Sequence, residues 1–100
     1  MKIFRQGDVL LKQIEKLPKG VRHKGDKVLA YGEVTGHKHQ FLSTFSELYI
    51  DMDGNQYVYL VQDSLLAHEE HANMTIPKGI YEVVIQREFD LLEGTRQVAD

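Results

Sequence analysis

Tyr49-Ile50-Asp51-Met52-Asp53-Gly54-Asn55-Gln56-Tyr57-Val58-Tyr59-Leu60-Val61-Gln62 is the stretch that decides the fold class. Aromatic and β-branched residues dominate both arms, and Asp53-Gly54-Asn55 between them tolerates positive φ, so the stretch predicts an antiparallel hairpin. Outward from it, extended segments rich in Val, Ile, Leu and Tyr recur between short Gly- or Asp-containing breaks, and no window of a dozen residues keeps a helical stripe.

Upstream, a strand is expected over Asp8–Ile14, entered through Gly7 and ended by Pro18-Lys19-Gly20. Val21 to Lys27 does not alternate and reads as a mobile, mostly basic loop. Val28–Thr35 reads as the next strand, and after Gly36 a period of two puts His37, His39 and Phe41 on one face. Downstream, Asp63-Ser64-Leu65-Leu66-Ala67 carries helix-capping and helix-forming residues, which suits a short helix or an irregular turn leading into His68-Glu69-Glu70-His71. Thr75-Ile76 approaches a Pro77-Lys78-Gly79 turn, and Ile80–Phe89 is the longest predicted strand, with Tyr81, Val83, Ile85 and Phe89 on one side. The expectation is a mainly β fold, a small single-domain barrel or sandwich over residues 1–100 with at most one short helix. Glu93 to Asp100 reads as a flexible tail.

With 100 residues, the chain has room for one small core and not two. Its formal charge is −3, from 12 basic and 15 acidic residues, so no overall basic field gathers phosphate backbones and nucleic-acid binding is disfavoured. It has no cysteine, which removes disulfides, thiolate nucleophiles, iron–sulfur clusters and cysteine-based zinc sites together. No apolar run approaches the roughly 20 residues of a membrane span or the apolar core of a signal peptide. The default expectation is a cytoplasmic protein without a membrane partner.

Four of the five histidines fall in two tight pairs, His37-x-His39 and His68-x-x-His71, on either side of the predicted hairpin. On a strand, HxH projects both imidazoles to one side, which suits two neighbouring positions of a coordination sphere. HxxH needs different backbone, because a strand would point its rings to opposite faces. If both bind, Leu65 to His71 should be helical or sharply turned. Carboxylates stand nearby at Glu33, Glu69 and Glu70. The reading is one divalent metal ion held by His37, His39, His68 and His71, with a carboxylate as an alternative to one imidazole. Sulfur-free ligands suit Zn²⁺ first, then Fe²⁺, Mn²⁺ or Ni²⁺. Glu69 or Glu70 would move protons as the catalytic acid or base. The spacing is not that of HExxH metalloproteases, and no glycine-rich stretch matches a phosphate-binding loop or a dinucleotide fingerprint. Arg87, at a core-facing position of the last strand, is either one half of a structural ion pair or an anion clamp beside the histidines.

Gly32-Glu33-Val34-Thr35-Gly36-His37-Lys38-His39, followed by Pro77-Lys78-Gly79 before a strand, resembles part of the cupin signature. That resemblance implies a small barrel whose HxH supplies metal ligands. Glu82 stands where the later cupin histidine would follow. The combination TGHKH, HEEH, GIYEV, QREF and a closing RQVAD is also similar to small uncharacterised prokaryotic and phage-borne proteins over nearly the whole chain, which implies a coherent fold without assigning an activity.

Two function classes follow. In the first, the metal has an open position and serves hydrolase or lyase chemistry on a small molecule. In the second, a non-catalytic module, phage-encoded or not, sequesters a small anion or nucleotide or docks a protein partner. Self-association into a homo-oligomer is compatible with either.

Overall fold

The computed structural model describes residues 2–31 and 37–86. Glu33, Arg87, the end of the last predicted strand and the predicted tail lie outside the described residues.

Among the described residues ten strands form, in chain order β1 (Ile3–Gln6), β2 (Val9–Ile14), β3 (Arg22–His23), β4 (Val28–Tyr31), β5 (Lys38–Phe41), β6 (Ser46–Ile50), β7 (Gln56–Leu60), β8 (Ser64–Ala67), β9 (Met74–Ile76) and β10 (Gly79–Ile85). They make two antiparallel sheets. The larger has the order β1-β2-β10-β7-β6-β3 and the smaller β4-β5-β8-β9. No helix occurs among the described residues, and so none is long and apolar enough to cross a membrane.

The hairpin predicted around Gly54 is β6–β7, with Tyr49 opposite Tyr57 and Ile50 opposite Gln56. Gly54 takes φ 87°, a region L-residues avoid, and Asp51 gathers the turn by accepting the N–H groups of Asp53 and Asn55, each at 2.9 Å. The strand expected from Asp8 begins at Val9 and is the second arm of a hairpin, because Ile3–Gln6 pairs with it from Ile3↔Lys12 to Gln6↔Val9. Only Gly7 and Asp8 link these arms, and φ 60° at Gly7 allows the short connection.

Two expectations are corrected. Ser64–Ala67 is a strand, not a helix: it pairs with β9 from Ser64↔Ile76 to Leu66↔Met74, and Ser64 Oγ donates to Gln62 O at 2.8 Å and caps no helix. The basic loop is also tethered. Arg22 and His23 pair with Ile50 and Tyr49 of β6, the Lys24 ammonium donates to Val28 O, and the Lys27 ammonium donates to Ser46 O. These ammonium groups serve the chain's own carbonyls.

One core joins the sheets. Val9, Leu11, Leu48, Val58, Leu60, Tyr81 and Val83 come from the larger sheet, and Leu29, Phe41, Leu66 and Ile76 from the smaller. Alternation along each strand selects these side chains, and burying each stabilises the fold by about 1.5–3 kcal/mol before the entropy of ordering is subtracted. Three hairpin ends and strands then meet at one edge of this core: the Gly7-Asp8 turn, β5, and the chain leaving β8.

A candidate metal centre at the junction of the two sheets

β5 alternates, so His39 and Phe41 turn inward and His39 is fully buried, at 0% exposure. His37 precedes the strand and is partly buried. On the neighbouring strand β8 the same alternation buries Leu66 and, just beyond the strand, His68 at 6% exposure. The chain then bends sharply through Glu69, Glu70 and His71. His68 Nδ1 organises this bend by accepting the backbone N–H of Glu70 at 3.0 Å and that of His71 at 3.2 Å. The bend replaces the helical turn as the device that brings positions i and i+3 together.

All four paired histidines converge. Ring centroids are separated by 4.2 Å for His39–His68, 4.7 Å for His68–His71, 5.9 Å for His39–His71 and 5.8 Å for His37–His68. Imidazoles on one tetrahedral ion, with nitrogens at about 2.0–2.1 Å from it, have centroids about 5 Å apart, and the observed separations bracket that value. Ring proximity is not yet coordination: among the described residues, no group of three or more His, Cys, Asp or Glu is disposed to hold an ion as it stands. Rotation about χ2, a broad torsion, re-aims a ring nitrogen with little movement of the ring centre, but the hydrogen bonds at Nδ1 oppose it in His39 and His68.

The nitrogens carry a second signal. His37 Nδ1, His68 Nε2 and His71 Nε2 are buried atoms without a hydrogen-bond partner. Each buried, unsatisfied polar atom costs about 1–3 kcal/mol, so three in one cluster need a common explanation.

The carboxylates divide. Glu69 Oε1 accepts the backbone N–H of Lys38 at 2.8 Å, a bond from the bend to β5 that holds its carboxyl below the usual range. Glu70 Oε1 is 3.7 Å from His37 Nδ1 and its side chain is largely exposed. Arg87 lies outside the described residues, so no contact between it and the histidines is described.

Sequence reasoning missed two residues, Gln6 and Asp8, 3% and 1% exposed. Gln6 Oε1 stands 2.9 Å from His39 Nδ1, and Gln6 Nε2 donates to Leu66 O at 3.1 Å and to Ala72 O at 3.0 Å. Asp8 Oδ1 lies 3.5 Å from His39 Nε2. The available signal was a pair of polar residues flanking a turn glycine where the chain enters its first core strand.

A depression of 180 Å³ opens beside the centre, lined by Lys38, Gln40, Leu42, Ala67, His68 and Glu69. A larger one, 660 Å³, lies along Gln13–Glu15, Tyr59–Val61 and Lys78–Ile80 and contains no histidine. Of the four paired histidines only His68 lines the smaller, and none lines the larger.

A family model described as a domain of unknown function, DUF8820, matches residues 5–86. The chain belongs to that family. The matched span of this DUF8820 chain includes Gln6, Asp8 and all four paired histidines and ends before Arg87. No curated protein matches the chain, and no solved structure matches it.

Proposed function

We propose that this DUF8820 protein binds one divalent metal ion between β5 and the His68–His71 bend, with His39, His68 and His71 as the inner ligands. These three rings are mutual neighbours, whereas His37 is a ring neighbour of His68 only and faces Glu70. One observation carries the reading: the buried Nε2 atoms of His68 and His71 have no hydrogen-bond partner while their rings crowd against each other and that of His39. A cation that takes the place of a partner there removes the desolvation cost. His68 Nδ1 accepts two backbone N–H groups, so its neutral ring carries the hydrogen on Nε2, and ligation through Nε2 releases that proton as the metal binds.

Nitrogen ligands without sulfur favour Zn²⁺, with Fe²⁺, Mn²⁺ and Ni²⁺ as competitors that affinity order alone does not separate in a cell. Among the ligands proposed here, only His39 of the HxH pair is shared with the cupin likeness, because the others come from the HEEH bend. When bound, such an ion supplies a polarised carbonyl or phosphoryl oxygen, or a hydroxide near neutral pH, which is hydrolase or lyase chemistry. Glu70, exposed and 3.7 Å from His37, is the carboxylate suited to holding a proton at the rim; Glu69 is committed to Lys38.

Elemental analysis of purified protein tests the reading. The expected result is about one divalent ion per chain in the wild type and loss of most of it in His68→Ala, with strand content by circular dichroism retained. Metal-free wild-type protein that still declines Zn²⁺ in titration overturns it.

A further inference from the structure

We infer that Asp8 is the carboxylate ligand of this centre and that Gln6 sets the tautomer of His39 so that the two bind together; the inference rests on the metal reading above. Gln6 Nε2 spends its N–H groups on Leu66 O and Ala72 O, so the atom facing His39 is the amide oxygen, which can only accept. His39 Nδ1 therefore carries the hydrogen. In the neutral ring this leaves a lone pair on Nε2, which stands 3.5 Å from Asp8 Oδ1.

The 3.5 Å between these atoms is within ion-pair range and is also a spacing that a shared ion sets. An imidazolium–carboxylate hydrogen bond runs about 2.7–2.9 Å, well inside it. Two ligand atoms of one tetrahedral ion, each about 2.0–2.2 Å from the metal, are about 3.4 Å apart, which matches. The backbone of Asp8 is fixed on both sides. Gly7 turns the chain with φ 60°, and Gln86 N donates to Asp8 O at 2.8 Å. Gln6 orients His39 as an outer carbonyl partner does in metal sites, and through Ala72 O it also grips the chain next to His71. The centre then has Asp8 from the larger sheet, His39 from the smaller, and His68 and His71 from the bend.

Cobalt titration tests this with a signal that a merely structural Asp8 does not produce. Wild-type protein is titrated with Co²⁺ alone, alongside Asp8→Asn and Asp8→Cys. We expect Asp8→Asn to bind Co²⁺ at least 10–100-fold more weakly, the loss that even outer-partner mutations cause, and Asp8→Cys to show a sulfur-to-cobalt charge-transfer band absent from wild type. A folded Asp8→Cys protein saturated with Co²⁺ that lacks the band overturns the assignment and leaves the metal reading intact. Wild type that binds no Co²⁺ overturns both. If the variants do not fold, the side-chain carboxyl ¹³C resonance of Asp8 in wild type decides: it should shift on addition of one equivalent of Zn²⁺, and an unmoved resonance overturns the assignment.

Discussion

His68 uses one ring nitrogen to shape its own bend and keeps the other for the cluster, so a single residue couples local backbone to site chemistry. Gln6 plays the matching part for His39. Replacing Gln6 by Leu removes the acceptor that holds the Nδ1 hydrogen and two donors to the bend, and metal affinity should fall by about 10–100-fold, measured by competition with a chelator of known affinity. An unchanged affinity would mean that His39 needs no outer partner. At this scale the sequence was readable in part. HxH and HxxH spacing identifies residues whose partners lie within a few positions, and the rings of both pairs do meet. Gln6 and Asp8 were not readable because they join the cluster from more than 25 residues away in sequence, through pairing of β2 with β10 and the turn at Gly7.

Strands with regular alternation were legible, and strands whose local chemistry competes with pairing were not. The β6–β7 hairpin combines alternation with a turn glycine. β8 carries Ser64, Leu65, Leu66 and Ala67, good helix material, but the ladder with β5 and β9 and the burial of Leu66 override that preference. β3 is only two residues long and gives no period to read. The hairpin turn also predicts a pH dependence. Asp51 has its carboxyl held below the ordinary range, first by the Asn55 side-chain amide and then by backbone N–H groups. A carboxyl whose pKa is lower folded than unfolded adds stability above its unfolded value, about 3.9, and that contribution disappears as pH falls through the folded value. Asp51→Ala should therefore lower the melting temperature at pH 7, and the difference from wild type should shrink in thermal melts as pH drops toward about 2. A difference independent of pH would assign the effect to turn geometry and not to the charge.

Across the whole molecule, the candidate centre lies where the two sheets meet. Asp8 and Gln6 belong to the first hairpin of the larger sheet, His39 to β5 of the smaller, and Gln6 ties that hairpin to Leu66 and Ala72. The core alone joins the sheets through non-directional burial, whereas a metal ion would join them through bonds of fixed length, so metal binding and folding should be coupled. The mainly β character followed from period-two patterning, but the division into two sheets and which sheet each strand joins did not, because pairing partners depend on contacts far apart in sequence. The most direct test is long-range ¹H–¹⁵N NMR of the imidazole nitrogens during a Zn²⁺ titration. The account predicts that Nε2 of His39, His68 and His71 all shift and that the change is complete at one equivalent, with His39 Nδ1 still protonated and the exposed His23 unmoved. Histidine nitrogens that stay in place, or shifts that divide between independent equivalents, would contradict it.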